Sequence, residues 1–241
     1  MTDLVFVADV HLVEGDEEAP VFMRFLRSLA GNTSRCIIVG DLFNVWIARR
    51  RFMSPGQMRL MDVIRDVAAD GVRFEYVEGN RDYFVAENWS GDAFDQVTSG
   101  CMTAMAGPTR LLVTHGDQVN KADLPYRFWR ALSRSLPVRS LLSLLTGSAG
   151  RRLAEGLERR LRGTNLRRKA QLPMADLDTL TRQAVADGCQ GVVLGHFHTE
   201  IERQVGGGTL WVLPDWRSGR RYLRFGQDGR GRFVSYDEVA P

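Results

Sequence analysis

The sequence contains few cysteines and no long hydrophobic run. Its three cysteines, Cys36, Cys101 and Cys189, are odd in number and widely spaced, which excludes a disulfide framework and a CxxC zinc site. No apolar segment approaches the roughly 20 residues that a membrane-spanning helix needs. The first residues also lack the basic region and apolar stretch of a secretory signal. We therefore expect a cytosolic protein.

Lysine is scarce as well, since 30 of the 32 basic residues are arginine. The net charge of +3 is unevenly distributed, because residues 127–169 contain twelve basic and only two acidic side chains. The remainder of the 241-residue chain is therefore acidic. A basic block on an acidic body suggests a surface for phosphate, nucleic acid or an anionic membrane.

Short apolar runs alternate with helical patterns along the chain. The order is β-α-β-α-β, then two strands, then the basic helical block, then α-β-β-β, which predicts an α/β body with mixed sheets. We predict this body at residues 1–124 and 174–241, with a basic helical insertion at residues 125–173. Strands are predicted at residues 4–8, 36–39, 74–77, 101–105, 110–114 and 191–194, followed by three antiparallel strands at 209–213, 221–225 and 232–236. Helices are predicted at residues 20–30, 55–70 with Ser54 as its N-cap, and 175–187.

Histidine is rare, and each of the four histidines comes one to four residues after a predicted strand. They lie among five compact polar clusters, and ligands of open α/β sheets bind where such strand-end loops converge. The clusters are Asp9-Val-His11, Gly40-Asp41, Gly79-Asn80-Arg81-Asp82, His115-Gly-Asp117 and Gly195-His196-Phe-His198.

These residue types indicate a metal centre. Imidazole together with carboxylate suits divalent Mn, Fe, Zn or Ni. If the segments are extended, Asp9 and His11 face one point, and so do His196 and His198. Two carboxylates, four imidazoles and one amide oxygen are too many ligands for one ion but enough for two bridged by a carboxylate, a pair that clamps phosphate. Any single cluster is also explained by a helix cap or a turn; the five together favour metal binding.

The ordered set resembles the calcineurin-like metallophosphoesterase superfamily, whose pattern is D-x-H, G-D, G-N, H and G-H-x-H. The resemblance implies a β-sandwich of mixed sheets flanked by helices, and two divalent ions. It assigns one ion to Asp9, His11 and His198, the other to Asn80, His115 and His196, and the bridge between them to Asp41.

A narrower resemblance is to the UDP-2,3-diacylglucosamine hydrolases of lipid A biosynthesis. It rests on the segments Phe6–Leu12, Gly40–Phe43, Gly79–Phe84 and His115–Asp117, and on the basic insertion at the place of that family's lid over the acyl chains. It implies a Mn²⁺-dependent hydrolase that cleaves the diphosphate of UDP-2,3-diacylglucosamine to UMP and 2,3-diacylglucosamine 1-phosphate. It also implies a peripheral location on the cytoplasmic face of the inner membrane.

Arginine stands at position 81, where most of the superfamily has histidine. A permanently charged, forked donor matches a diphosphate, so we hypothesise that Arg81 stabilises developing charge. The alternative is a structural pair between Arg81 and a carboxylate. By resemblance the catalytic set is Asn80, Arg81, His115 and His196, and the substrate-binding set is Asn80, Arg81, Asp123, Asn165, Arg168 and Lys169. For the last four, a solvated helix face is the alternative.

Within the insertion, Arg127, Arg130, Arg134 and Arg139 alternate with apolar residues. This predicts amphipathic helices, broken near Pro137 and ended by Gly147, that face an anionic membrane. The alternative is a helical subdomain packed on the body with its arginines in water. We expect the lipid and the membrane as partners, and neither nucleic acid nor an obligate protein partner.

The sequence departs from the narrower family at two places. Asn44 and Ala48–Arg51 stand where that family usually has acids, and Leu194 and Phe197 replace residues of its last block. These changes leave two alternatives open. One is another metallophosphodiesterase or nucleotide pyrophosphatase of the same fold, and the other is a non-catalytic scaffold.

Overall fold

A computed structural model describes residues 3–161 and 172–237 of the chain. Their strands are β1 (Asp3–Val7), β2 (Thr33–Ile38), β3 (Trp46–Ile47), β4 (Arg73–Val77), β5 (Asp82–Tyr83), β6 (Gln96–Thr98), β7 (Cys101–Ala106), β8 (Thr109–Thr114), β9 (Gly191–Leu194), β10 (Ile201–Val205), β11 (Gly208–Val212), β12 (Arg221–Phe225) and β13 (Gly231–Ser235). Their α-helices are α1 (Glu18–Ser28), α2 (Pro55–Ala69), α3 (Val85–Trp89), α4 (Leu124–Ser133), α5 (Leu136–Leu144), α6 (Gly147–Leu161) and α7 (Met174–Ala186), and short 3-10 helices span Arg50–Phe52 and Trp216–Ser218.

Two mixed sheets pack face to face. The first has the strand order β13-β12-β1-β2-β4-β6 and the second has the order β10-β11-β9-β8-β7. One cluster of buried side chains from both sheets fills the space between them. A second cluster joins the outer face of the first sheet to α1, α2 and α3, and a third joins the second sheet to α7. The predicted β-sandwich of mixed sheets flanked by helices is confirmed.

The central strand β1 shows why an apolar run was expected to be buried on both faces. Leu4 and Phe6 point into the core between the sheets, whereas Val5 and Val7 point toward the helices. Alternate side chains of a strand leave opposite faces, so a strand in the middle of this sandwich needs apolar residues at every position. Packing on both faces therefore fixes the carboxyl end of β1, which the first polar cluster follows.

Helix α2 begins where the sequence predicts. The Ser54 hydroxyl accepts a hydrogen bond from the Gln57 backbone N–H at 3.2 Å, and the Gln57 side chain accepts one from the Ser54 backbone N–H at 3.1 Å. This reciprocal capping satisfies two N–H groups that the first turn leaves without partners.

The insertion contains α4, α5 and α6. Pro137 lies in the first turn of α5, close to the break between α4 and α5, as predicted. The prediction for Gly147 is wrong, because this residue begins α6. A Cβ atom there would lie only 2.7 Å from the carbonyl oxygen of Arg51, so glycine permits α6 to pack against the 3-10 helix Arg50–Phe52.

The prediction of three antiparallel C-terminal strands is partly wrong. Strands β12 and β13 pair antiparallel, but β11 lies in the second sheet, parallel to β9 and antiparallel to β10. Gly206 and Gly207 have positive φ and turn the chain between β10 and β11. Strand β10 was not predicted because Glu202, Arg203 and Gln204 are all exposed at the sheet edge, so it carries no apolar alternation.

Candidate metal centre

The predicted ligands lie in loops that follow the carboxyl ends of strands from both sheets. These loops meet at one edge of the sandwich, which brings residues as far as 189 positions apart into contact. Asp9 and His11 follow β1, Asp41 follows β2, Asn80 follows β4, His115 follows β8, and His196 and His198 follow β9.

Asp9, His11 and His198 form the first group of converging donor atoms. The Nε2 atom of His198 lies 3.0 Å from Oδ1 of Asp9 and 3.1 Å from Nε2 of His11. The remaining distance, from Nε2 of His11 to Oδ1 of Asp9, is 3.5 Å. Two ligand atoms about 2.1 Å from one ion and at right angles are about 3 Å apart. The three atoms therefore have the spacing of ligands on a single divalent ion.

Asn80, His115 and His196 form the second group. The Oδ1 atom of Asn80 lies 2.9 Å from Nδ1 of His196 and 3.3 Å from Nε2 of His115. The other ring nitrogen of His115, Nδ1, lies 2.8 Å from the carbonyl oxygen of Val39. Because a carbonyl only accepts hydrogen bonds, Nδ1 carries a proton, so Nε2 is the nitrogen that would bind a metal once it is deprotonated.

Asp41 lies between the two groups. Its Oδ1 atom is 3.8 Å from Nε2 of His115 and accepts a hydrogen bond from the backbone N–H of Arg81 at 2.9 Å. Its Oδ2 atom is 3.8 Å from Nε2 of His11. One carboxylate oxygen thus faces each group, which is the orientation that a bridge between two ions requires.

The residues present fit divalent cations. The buried Oδ2 atom of Asp41 receives no hydrogen bond from any residue that the structure describes. Leaving a buried carboxylate oxygen without a donor costs about 1–3 kcal/mol or more, and a cation between the groups removes that cost. Imidazole, carboxylate and amide donors together suit transition-metal ions better than Mg²⁺ or Ca²⁺.

The prediction that the ligand segments are extended is wrong. His196 and His198 do not face one point, because His196 lies against Asn80 and His198 against Asp9. Their segment is not extended. Seven non-glycine residues in the described part of the chain have positive φ, and five of them are predicted ligands: Asp9, His11, Asp41, His196 and His198. Such strained backbone is concentrated at functional sites, and here it turns His196 toward Asn80 and His198 toward Asp9.

Two glycines allow the loops to approach closely. Gly79 packs so tightly that a Cβ atom there would lie 2.2 Å from Oδ1 of Asp41. Gly40 has a φ of +82°, and its Cβ would lie 2.4 Å from Nδ1 of His115. The glycines of the Gly-Asp and Gly-Asn clusters are therefore needed for the contact between the loops.

Asp82 organises the same loops and was assigned no role of its own from the sequence. Its Oδ2 atom accepts hydrogen bonds from the backbone N–H groups of Asp41 (2.9 Å) and Gly79 (2.7 Å) and from the Tyr76 hydroxyl (2.8 Å). Burial and the charge of Asp41 raise the pKa of Asp82 to about 7. Its place in the Gly-Asn-Arg-Asp cluster indicated that Asp82 lies near the site. The sequence does not show which groups it binds, because two of them are backbone N–H groups of other residues.

The electrostatics of the site favour charged ligands. Burial alone would raise the pKa of Asp9, but hydrogen bonds from His11 and His198 and nearby imidazoles hold it well below its usual range. Burial disfavours the protonated form of His115, yet the charges of Asp41, Asp9 and Asp117 raise its pKa. The raised pKa of His115 favours a proton on that ring without a cation, and a bound metal would displace it.

Curated relatives align with nearly the whole chain. The chain is 28% identical to UDP-2,3-diacylglucosamine hydrolase of Haemophilus influenzae (strain PittGG) over 232 residues, which are 95% of this chain and 97% of the relative. It is 28% identical to the protein of that name from Stenotrophomonas maltophilia (strain K279a) over 246 aligned positions, covering 95% and 96% of the two chains. No family model matches the chain.

Solved structures agree on the fold. A novel archaeal phosphodiesterase superposes with a TM-score of 0.50 at 11% identity, covering 98% of this chain and 100% of that one. Vacuolar Protein Sorting 29 from Cryptosporidium parvum superposes with a TM-score of 0.51 at 12% identity, covering 98% and 96%. The chain is a hydrolase with the metallophosphoesterase fold. The resemblance to the calcineurin-like metallophosphoesterases is confirmed.

In this hydrolase Arg81 is almost completely buried, at 3% exposure. Its backbone N–H donates to Asp41, and its Nη1 atom lies 3.4 Å from the carbonyl oxygen of Asn44. Asn44 in turn donates from Nδ2 to Oε1 of Glu158 on α6, at 3.2 Å. Asn44, one of the departures from the family pattern, therefore joins the Arg81 loop to the insertion.

The structure describes one of the four substrate-binding residues predicted in or next to the insertion. Asp123 is the N-cap of α4, and its Oδ1 atom accepts a hydrogen bond from the backbone N–H of Tyr126 at 3.1 Å. Asn165, Arg168 and Lys169 lie outside the residues that the structure describes.

The arginines of α4 and α5 differ in exposure, because Arg130 is partly buried whereas Arg127 and Arg139 are exposed. Arg130 forms an ion pair with Asp117 at 2.9 Å, and Arg139 forms one with Glu87 at 3.0 Å. Apolar side chains of these helices are exposed on the surface of the protein: Phe128 is 71% exposed and Leu136 is 72% exposed. Asp117 and the carbonyl oxygen of Ser99 hold the guanidinium group of Arg130 against the body, so this arginine does not belong to a membrane-facing or solvated surface. For the exposed arginines, both the membrane and the solvated surface stay predictions.

Other residues that differ from the family pattern also have contacts that explain them. Arg51 donates from Nη2 to the carbonyl oxygens of Leu142 (3.2 Å) and Ser143 (2.8 Å) at the end of α5. A cation at a helix C-terminus is favourable, so arginine here holds the insertion to the body. Phe197 is buried in the core between the second sheet and α7. Among the described residues of this hydrolase, no helix is long and apolar enough to cross a bilayer.

Proposed function

We propose that the protein hydrolyses the diphosphate of UDP-2,3-diacylglucosamine to UMP and 2,3-diacylglucosamine 1-phosphate, with two Mn²⁺ ions. The observation that carries this proposal is the orientation of Asp41, whose two oxygens face two separate donor groups. The name of the relatives supports the substrate. The imidazole-rich donor set supports Mn²⁺ or a related transition metal over Mg²⁺.

The ligand assignment follows the two groups. Asp9, His11 and His198 would hold one ion, Asn80, His115 and His196 the other, and Asp41 would bridge them. Bound ions of this kind neutralise phosphate charge and lower the pKa of a water molecule. The position of the ligands is fixed by contacts between the loops. The backbone N–H of His196 donates to Oδ2 of Asp9 at 2.7 Å, which links the loop after β1 to the loop after β9.

Asn80, Arg81, His115 and His196 are proposed to act on the reacting diphosphate. The oxygen of a water molecule bonds to the α-phosphorus and a proton is released to solvent. The bond from that phosphorus to the bridging oxygen breaks, and its electron pair leaves with the sugar phosphate. Because that leaving group is itself a phosphate ester, it needs little protonation, and a permanent cation serves better than an acid. Arg81 supplies that cation beside Asn80, while Asn80, His115 and His196 would hold the metal ion that neutralises the phosphate.

The insertion is proposed to bind the lipid part of the substrate. Asp123, Asn165, Arg168 and Lys169 would contact the sugar or the diphosphate. Val45, Phe52, Phe84 and Leu142 form an apolar cluster between the body and the insertion, a suitable place for acyl chains to enter. We propose that this lid comprises residues 125–173.

The exposed apolar side chains of α4 and α5, which we call the outer apolar face, are proposed to contact the membrane that contains the substrate. This face consists of Leu124, Phe128, Trp129, Leu132, Leu136, Leu141 and Leu144. Monomeric proteins rarely expose such a patch to water, and Arg151, Arg152, Arg159 and Arg160 on α6 are exposed nearby in sequence. Apolar insertion plus cations suits an anionic bilayer, here the cytoplasmic face of the inner membrane.

Product identification tests the proposal. The purified protein with Mn²⁺ is incubated with UDP-2,3-diacylglucosamine, and the products are identified by mass spectrometry, with UDP-glucose, a cyclic nucleotide and ATP as comparison substrates. We expect UMP and the lipid monophosphate, and slow or no turnover of the three soluble compounds. Faster hydrolysis of a soluble nucleotide would favour another phosphodiesterase or pyrophosphatase activity, and no hydrolysis of any substrate would favour a scaffold.

A further inference from the structure

Arg134, immediately after α4, contacts the loop that carries Asn80. Its Nη2 atom donates to the carbonyl oxygen of Gly79 at 2.8 Å and to that of Asp82 at 2.7 Å. These two carbonyls flank Asn80 and Arg81. One guanidinium nitrogen of the insertion therefore closes the two ends of this four-residue segment.

The ring of Tyr83, the next residue of that loop, adds a third contact. The guanidinium carbon of Arg134 lies 5.1 Å from the ring centroid, within the range of a cation–π interaction. Hydrogen bonds from a charged donor are roughly twice as strong as neutral ones. Together the three contacts restrict the backbone on both sides of Asn80, whose Oδ1 atom lies between His115 and His196.

A second contact from α4 reaches the loop that carries His115. Asp117, two residues after His115, is buried and forms an ion pair with Nε of Arg130 at 2.9 Å. The Tyr126 hydroxyl donates to the same carboxylate oxygen. Arg130 also donates from Nη2 to the carbonyl oxygen of Ser99 at 2.7 Å, so this contact is anchored to the body on two sides.

We propose that α4 and Arg134 are positioning elements of the metal centre, in addition to any role in covering the lipid. Arg134 holds the Gly79–Asp82 segment, and Arg130 with Tyr126 holds the loop behind His115. This inference rests on the ligand role proposed above for Asn80 and His115. It makes the metal site dependent on the insertion, because Asn80 and His115, two of the three ligands in the second group, lie in loops that Arg134 and α4 hold.

A matched pair of variants tests the inference. Arg134→Gln keeps the side-chain stem but removes the charge, and Arg139→Gln removes a different insertion-to-body ion pair, to Glu87, without touching the Asn80 loop. Mn²⁺ binding is measured by titration calorimetry on the full chain. We expect Arg134→Gln to weaken one of two Mn²⁺ sites by about tenfold or more, Arg134→Lys to restore most of the affinity, and Arg139→Gln to bind like the parent protein.

Amide hydrogen exchange supplies a readout that a simple docking role would not change. In Arg134→Gln, the amides of residues 79–83 should exchange faster, while those of α7 stay as in the parent protein. Parent-like exchange in residues 79–83 together with two parent-like Mn²⁺ affinities would overturn the inference. Equal loosening of the Asn80 loop in Arg139→Gln would also overturn it, since Arg134 would then have no specific role.

The parent protein gives a second test that does not depend on a variant folding. Coupling between two sites is reciprocal, so adding Mn²⁺ should slow exchange in α4 as well as in residues 79–83, with α7 unchanged. No change in α4 on adding Mn²⁺ would contradict the inference. If the parent protein binds no Mn²⁺, the metal proposal itself fails; if it binds two ions but does not cleave the lipid nucleotide, only the substrate proposal fails.

Discussion

The Nε2 atom of His198 lies 3.0 Å from Oδ1 of Asp9, although 189 positions separate the two residues. The other oxygen of Asp9 accepts the backbone N–H of His196. Asp9 therefore holds the last histidine loop with both oxygens, and the first and last polar clusters form one structure. A site closed in this way positions its ligands before an ion arrives, which favours tight binding.

Replacement of Asp41 tests the bridge. Asp41→Asn keeps the shape of the side chain but removes the charge and one acceptor oxygen, so we expect one Mn²⁺ to be lost and turnover to fall by more than about 100-fold. Metal content by atomic spectroscopy and turnover of the lipid nucleotide check this, with the exposed Asp66→Asn as control. Two retained ions and near-normal turnover would exclude a bridging role.

Replacement of Arg81 separates its catalytic role from a structural one. Arg81→Ala should lower kcat by about 100-fold to 1,000-fold, the usual effect of removing one donor to developing charge, while Mn²⁺ stoichiometry stays at two. Arg81→Lys should retain more activity than Arg81→His, because lysine keeps a permanent charge. Near-normal kcat in the alanine or histidine variant would exclude a catalytic role for Arg81 and favour the structural one.

The raised pKa of His115 predicts how metal affinity depends on pH. A histidine must be neutral to bind a metal, and acidic neighbours raise the pKa of His115, so it remains protonated to higher pH than a free imidazole. Mn²⁺ affinity should therefore weaken as the pH falls from about 8 to about 6, the range in which histidines titrate. Calorimetric titrations at several pH values check this, and they should also detect protons released on binding. Constant affinity and no proton release across this range would contradict the assignment of His115.

The outer apolar face predicts membrane binding. Phe128→Ser should weaken binding to anionic vesicles by about tenfold or more, since burying a phenylalanine side chain contributes about 1.5–3 kcal/mol. Co-sedimentation with phosphatidylglycerol vesicles measures this, and Met105→Ser, at an exposed methionine of β7, is the matched control. Equal binding by both variants would show that α4 does not contact the bilayer.

The location of the site was predictable from the sequence because strand ends are local features. The apolar runs fix β1, β2, β4, β8 and β9, and each polar cluster follows one of them. The sorting of ligands into two groups came only from the family resemblance. The spacing argument itself failed for His196 and His198, because left-handed backbone at both positions separates side chains that an extended chain would align.

The role of the insertion was not predictable in the same way. The helical pattern showed where Arg130 and Arg134 lie, but their partners are Asp117 and the carbonyls of Gly79 and Asp82, which local sequence does not connect to them. Backbone acceptors leave no trace in residue types. The arginines were therefore assigned to a membrane, whereas the apolar residues between them occupy the outer surface.

Seven side chains from five loops are proposed to hold two cations. Crystals grown with Mn²⁺ and measured at the manganese absorption edge test it directly. Two anomalous peaks are expected, one among Asp9, His11 and His198, and one among Asn80, His115 and His196, with an oxygen of Asp41 next to each. A single peak, or peaks away from Asp41, would contradict the account.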